Sequence, residues 1–225
     1  MDTLMPKVTL FNITENPLSC IALAVDAWSA EKIPTSKNYW TREQLEERFK
    51  MCLNAAHQTP FEYVNMVWVL ENCSRAFQQQ LTRHRIGFSY SIQSLRVVEV
   101  CKFADKGAYH VPASVKDKLM YHKEMLRIQQ MYRDALNRGE SSEDARGLLP
   151  LNVQSPITFA CTYRSLIGML KQRLCVAAQE EWKYVAEQMR SEIEKVEPLL
   201  VEPIDCMCKR FKNGNGYCKT LHKVV

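Results

Sequence analysis

Glycine is scarce in this chain, with seven among 225 residues. None is arranged as G-x-G-x-x-G or as G-x-x-x-x-G-K-[ST], so neither of the common backbone cradles for phosphate is present. A nucleotide bound here is held by another route. Long apolar runs are missing too. The longest, Tyr63 to Leu70, is broken by Asn65 and falls far short of the roughly 20 residues that cross a bilayer. No basic segment followed by an apolar run opens the chain, so the expectation is a cytoplasmic protein with no secretion signal and no membrane partner. There is no internal repeat and no low-complexity stretch. The net charge is only +5, which suits a phosphorylated small ligand and makes nucleic acid an unlikely partner by charge alone. Nine cysteines, an odd number, do not read as a disulfide framework. Cys20, Cys52, Cys73, Cys101, Cys161 and Cys175 are scattered through apolar or helical patterns and read as reduced, mostly buried thiols.

A hydrophobic content of 46% and a charged content of 24% are ordinary for a globular protein, and the length suits one domain. That domain is expected over residues 1–202, with a cysteine-rich tail over 203–225. Lys7 to Asn12 alternates as a first strand. Asn16-Pro17 opens a helix from Leu18 to Trp28, with Asn16 as its cap and Pro17 at the first helical position. Thr41 and Gln44 form a capping box, and the helix behind them runs to Ala56. Pro60 biases Thr59 towards extended geometry, and Tyr63 to Leu70 is a buried strand. His57, Thr59 and Glu62 therefore stand at a helix-to-strand corner, as site residues or as caps and turn residues. A helix from Asn72 or Ser74 leads into Arg83-His84-Arg85, with Gln80 one turn before His84. Val97 to Phe103 reads as a strand, Ser114 to Asn137 as a long amphipathic helix, and Ser141 as the start of a short one. Asn152 to Tyr163 contains a strand, Arg164 starts a helix that carries Arg173, and Ala177 to Val196 is a final helix.

The richest stretch is Arg83-His84-Arg85 with the run Ile86 to Arg96 behind it. Three cationic or potentially cationic side chains precede four serine or tyrosine hydroxyls, an amide and a further arginine. Arginine offers forked donors to phosphate, and hydroxyls fix a sugar or base. The same residues also fit a solvated helix end followed by a polar loop. At a helix carboxyl end the dipole tolerates cations.

Several segments in order resemble the flavin-dependent thymidylate synthases. The family signature is Arg-His-Arg, seven residues, Ser, and an arginine two further on. Here Arg83-His84-Arg85 and Ser94-x-Arg96 are complete with eight residues between them, one being inserted near Phe88. Ser89-Tyr90-Ser91-Ile92-Gln93-Ser94 resembles a Ser-aromatic-Ser-Gln-Gln-Ser variant, with Ile92 in place of a polar residue. His57-Gln58-Thr59-Pro60-Phe61-Glu62, Ala145-Arg146 to Pro150, Thr162 to Leu166 with Arg173, and Ala178-Gln179 with Trp182 also resemble family segments. Thr162 and Gly168 stand where the family has flavin-side asparagines.

The resemblance implies an α+β fold: a single domain with a twisted, mostly antiparallel central sheet flanked by long helices. It implies a homotetramer with active sites between subunits. It implies FAD-dependent transfer of a one-carbon unit from 5,10-methylenetetrahydrofolate to C5 of dUMP, with NADPH as reductant and dTMP as product. No enzyme nucleophile attacks the pyrimidine in that chemistry. Ser29, His57, Thr59, Glu62, Arg83, His84, Arg85, Ser91, Thr162, Arg164 and Gly168 would lie against FAD. Gln80, Arg83, Gln93, Ser94, Leu95, Arg96 and Arg173 would hold the nucleotide, joined by Arg146 from a neighbouring subunit. Arg173 would be catalytic, facing the uracil and favouring its ionised N3 form. The departures leave a second enzyme reading, a nucleotide enzyme making 5-hydroxymethyl-dUMP.

In the tail, Cys206, Cys208, Cys218 and His222 supply three thiols and an imidazole, a set that zinc accepts in a tetrahedron. The alternative is a tail of free thiols. A zinc knuckle would also support a different class of function, non-catalytic binding of nucleic acid.

Overall fold

The computed structural model describes residues 3–55, 57–175 and 177–205, without the side chain of Ser29. Strand β1 (Lys7–Ile13) leads to helix α1 (Pro17–Ser29). Pro17 takes the first turn as expected. Asn16 does not cap with its side chain. It turns the chain with its backbone instead, at φ 52°. Helix α2 (Arg42–Asn54) begins with the expected capping box: Thr41 accepts from the Gln44 N–H and its own N–H donates to Gln44 Oε1. It stops at Asn54, and Ala56 lies outside the described residues.

The corner at Pro60 differs from expectation. Thr59–Tyr63 is a turn of 3-10 helix and β2 (Asn65–Ser74) starts after it. Proline is at home in a first helical turn. The turn drops Phe61, fully buried, between Phe49 and Tyr163 at centroid distances of 5.5 and 5.3 Å. Helix α3 (Arg75–Leu81) follows, then β3 (Phe88–Ile92), α4 (Lys118–Asn137), the single turn α5 (Ser142–Ala145), β4 (Gln154–Thr162), α6 (Tyr163–Arg173) and α7 (Glu180–Val196).

The strand expected over Val97 to Phe103 is not formed. That segment is turns, with Val97 and Val98 exposed, and the sheet position is filled by β3. The reason is visible in the residues. Phe88, Tyr90 and Ile92 alternate with Ser89 and Ser91, a clean period of two, whereas β-branched residues without a partner strand have nothing to pack on.

The sheet runs β1-β2-β4-β3 and every neighbouring pair is antiparallel. Its register lines up one apolar face. Met66, Trp68 and Leu70 of β2 oppose Cys161, Phe159 and Ile157 of β4, which in turn oppose Phe88, Tyr90 and Ile92 of β3. Helices α6 and α7 contribute Leu166, Leu170, Trp182, Val185, Met189 and Ile193 to the same core, which includes Leu200 and Ile204. The opposite face carries Ser89, Ser91, Thr158 and Ala160, all exposed in the single chain. Among the described residues no helix is long and apolar enough to cross a membrane.

One buried carboxylate ties α7 to the start of α3. Glu181, 2% exposed, accepts from the Ser74 N–H at 2.7 Å and from its hydroxyl at 2.5 Å, while Ser74 Oγ accepts from the Phe77 N–H and caps α3. Charge-assisted bonds of this kind are about twice as strong as neutral ones, and losing the acceptor leaves two buried donors without a partner. Glu181→Ala is expected to lower unfolding free energy by about 2–4 kcal/mol, read from urea denaturation. Glu181→Gln, which keeps one acceptor oxygen, is expected to lose less.

Candidate active site

Helix α3 ends at Leu81, so Arg83-His84-Arg85 stands beyond it on a turn rather than on the helix. Tyr90 shapes that turn. Its hydroxyl, half-buried, lies 2.9 Å from the Leu81 carbonyl and 2.6 Å from the His84 carbonyl. Gln80 and His84 do meet, through a third residue at the end of α6 rather than through helical spacing. Arg173 donates from Nη1 to Gln80 Oε1 at 3.3 Å, and its Nε and Nη2 lie 3.3 and 3.2 Å from His84 Nε2. An arginine cannot accept, so His84 Nε2 is the acceptor and the ring proton sits on Nδ1. Gln80 is held in turn by its Nε2 bond to Gln179 Oε1. The Arg173 guanidinium lies 4.7 Å from the Trp182 ring centroid.

The electrostatics of this group are one-sided. Burial, and then the Arg173 charge, hold His84 down at about 4, so it is neutral at physiological pH. Burial, and then Arg83, also lower the Arg173 pKa. Among the described residues no carboxylate pairs with Arg173, Arg83 or Arg85, and the last two are exposed. Their open donors suit an anionic group.

A second basic group lies at the other end of α3, about 10 Å along its axis. Glu143 pairs with Arg96 at 2.9 Å and with Arg146 at 3.8 Å. The two arginines expected to meet across subunits thus share a carboxylate within one chain. Ser94 Oγ accepts from the Arg96 N–H in a local turn. Leu95 is buried in a separate cluster with Phe103, Tyr109 and Val153, so any ligand contact of this residue falls to its backbone. The Gln93 carbonyl accepts from Arg75, as do Gln78 Oε1 and Ser155 Oγ. Burial, and then Arg146, lower the Arg75 pKa.

The third group lies around the start of α6. Thr162 caps the helix, accepting from the Ser165 N–H, and bonds the Ser165 hydroxyl at 3.0 Å. Its N–H donates to the Gly87 carbonyl, which clips the Arg-His-Arg turn to α6. Arg164 and Glu62 form an ion pair at 2.5 Å. Thr59 is exposed at the head of the 3-10 turn, and exposed His57 lies edge-on to Trp28 at 6.3 Å. Ser91 is exposed on β3, on the face opposite Ile92. Gly168 is exposed on α6, where an added Cβ would meet nothing within 4 Å. The Ser29 side chain, Cys206, Cys208, Cys218 and His222 lie outside the described residues. Among the described residues no cluster of His, Cys, Asp and Glu could hold a metal ion. Burial raises the pKa of Cys20 and Cys73 and pushes Cys52 up to about 11 and Cys161 to about 12, so these four thiols are not activated.

Comparison with known proteins gives these groups a context. The profile of the family described as "Thymidylate synthase complementing protein" matches residues 9–199. The flavin-dependent thymidylate synthase of Pyrococcus abyssi is 33% identical over 204 residues, covering 87% of this chain and 82% of its own. The chain belongs to the flavin-dependent thymidylate synthase family. The Pyrococcus furiosus member is 31% identical, over 95% of this chain and 89% of its own. Two solved structures share the fold. The Helicobacter pylori enzyme ThyX, complexed with FAD and dUMP, superposes with a TM-score of 0.72 at 18% identity, over 88% of this chain and 99% of its own. The UMP/dUMP methylase PolB from Streptomyces cacaoi, bound with 5-Br dUMP, gives 0.71 at 21% identity, over 89% and 95%. As a family member the chain is an enzyme, a flavin-dependent thymidylate synthase or a close pyrimidine-modifying variant of one.

Sequence reasoning picked out Gln80, His84 and Arg173 but missed what surrounds them in this member of the family. In the sequence Gln179 and Trp182 stand only as part of a segment that resembles the family's. Arg75 was passed over, although a cation in the first turn of a helix opposes the dipole and so asks for an explanation.

Two predictions follow from this geometry. Gly87 has φ +73°, and an added Cβ would lie 2.2 Å from Ser165 Oγ. Gly87→Ala is expected to cost about 1–3 kcal/mol of stability in urea titrations, with partial recovery in the Gly87→Ala/Ser165→Ala double variant. The second concerns pH. Unfolded, His84 takes its proton near the usual value of about 6.5; folded, at about 4. The unfolded chain binds that proton first as pH falls, so stability drops between those two values and is independent of this group above them. His84→Asn is expected to flatten that part of the stability–pH profile.

Proposed function

We propose that this enzyme transfers the methylene carbon of 5,10-methylenetetrahydrofolate to C5 of dUMP and reduces it with NADPH, giving dTMP, tetrahydrofolate and NADP+. The observation that carries this reading is Arg173. It is a half-buried cation held by two neutral acceptors and an aromatic face, with no carboxylate among the described residues to cancel it. Such a group stabilises negative charge that develops on a ring placed against it, because a fixed cation in a water-poor site needs no reorganisation. A uracil ionised at N3 is a ring of that kind. His84 does not serve as an acid at neutral pH. Its lone pair is committed to Arg173.

The residues also fit FAD. Arg83 and Arg85 present guanidinium groups with no ion-pair partner among the described residues, suited to a diphosphate, and Gly168 leaves open space above α6. When bound, the flavin supplies the redox chemistry between NADPH and the transferred carbon. His57, Thr59, Glu62, Arg164 and Ser91 would line its site. The second basic group suits the nucleotide phosphate, with Ser94, Arg96, Arg146 and the newly found Arg75 around it. The two groups sit at opposite ends of α3, which supports a homotetramer whose sites combine residues of different subunits. The reduced thiols and the folate and NADPH chemistry suit the cytoplasm.

Incubation of the full chain with FAD, NADPH, methylenetetrahydrofolate and dUMP, followed by mass analysis of the nucleotide, tests the reading. dTMP formed only when NADPH is present is expected. A hydroxymethyl nucleotide formed without NADPH would replace it, since that product needs water and no reductant. Failure to take up FAD and to convert any uracil nucleotide would end both. Arg173→Ala is expected to retain the fold and FAD and to lose about 10²–10³-fold in kcat.

A further inference from the structure

We propose that Trp182 is a positioning residue of the active site, holding Arg173 and His84 as one unit; this rests on the function proposed above. Trp182 lies on the buried stripe of α7 with Val185, Met189 and Ile193, and a core role alone would account for an apolar side chain there. Three observations ask for more than core volume. The Arg173 guanidinium stands 4.7 Å from the indole centroid. The His84 ring meets the same indole nearly edge-on, at 6.2 Å and 66°. The indole Nε1 is buried without a hydrogen-bond partner among the described residues. An orphaned N–H of this kind costs stability, and phenylalanine would avoid the cost. The larger π face of indole is what remains in its favour.

The chemistry explains why an aromatic ring suits this place. Arg173 needs an attractive partner beneath it to stay on His84 Nε2 and Gln80 Oε1. A carboxylate would hold it but would neutralise its charge. A π face attracts the guanidinium through the ring quadrupole and leaves the charge whole. Phe77, 4.3 Å from the indole centroid, packs against the same ring, and Glu181, the preceding residue, is locked to Ser74. The ring is thus anchored from α3 and α7 together, and α3 also carries Gln80.

Trp182→Phe and Trp182→Leu separate this role from core filling, because both leave space and only one keeps a π face. Both are expected to lower the thermal midpoint. Trp182→Phe is expected to keep kcat within about three-fold of wild type, and Trp182→Leu to lose about ten-fold or more, with the KM for dUMP changed less than kcat. Crystal structures of the two variants supply a readout independent of turnover: the guanidinium stays on His84 Nε2 in Trp182→Phe and leaves it in Trp182→Leu. Equal losses of kcat in the two variants, or an Arg173 still seated on His84 in Trp182→Leu, would overturn the proposal. If the wild-type chain turns over no uracil nucleotide, the proposed function falls, while the crystallographic comparison still decides whether Trp182 positions Arg173.

Discussion

The pairing of β4 with both β2 and β3 is the constraint on which the rest of the molecule depends. It aligns Trp68, Phe159 and Tyr90 across three strands, and the side chains on that face form the core against which α6 and α7 pack. From this register two consequences reach the site. Tyr90 is placed so that its hydroxyl gathers the Leu81 and His84 carbonyls, which sets the path of the chain as it leaves α3. And β4 runs without a break into α6, whose last residue is Arg173. A one-residue slip of β3 would turn Tyr90 to the opposite face, leaving the Arg-His-Arg turn without its clasp.

Around that scaffold the polar groups are arranged to keep positive charge unspent. Arg173 is satisfied by lone pairs and a ring face rather than by an anion. Burial, and then the nearby Arg146 charge, lower the proton affinity of Arg75. Glu143 and Glu62 are exceptions, pairing with Arg96 and Arg146 and with Arg164 at exposed sites, where such pairs contribute about 0–1 kcal/mol. An anionic ligand can displace an ion pair that weak. An ion pair with a buried carboxylate lies elsewhere, in the frame. Arg48 pairs with Asp26, which also accepts from the Trp40 indole.

Much of the architecture was legible because it follows from local chemistry. Pro17 at a helix start, the Thr41–Gln44 capping box and the extent of the last helix each depend on neighbours within a turn or two. The misread segments are those decided by distant partners. Ser89 to Ser91 looked like a hydroxyl-rich loop because its hydroxyls drew attention away from the alternation of Phe88, Tyr90 and Ile92. Val97 to Phe103 looked like a strand because β-branched residues favour one, yet β3 had already taken the sheet position. Thr59 is expected to be extended because proline restricts the residue before it, and Tyr63 to start a strand, yet both lie in a 3-10 turn that buries Phe61.

The sequence alone determined the inventory of the site. Arginines, a histidine, glutamines and hydroxyls in a set order, without a glycine-rich loop, limit the ligand to something anionic held by side chains, and their order resembles one family. Only the tertiary structure decided which of them touch. Gln80 and His84 are brought together by Arg173, some ninety residues further on, and Trp182 lies under that guanidinium because α7 folds back onto α3. The physical reason is one of range. Caps, turns and periodicities are set by interactions over a few residues. The charge on Arg173 and the neutrality of His84 are set by burial and by neighbours that only the folded sheet and helices bring within reach.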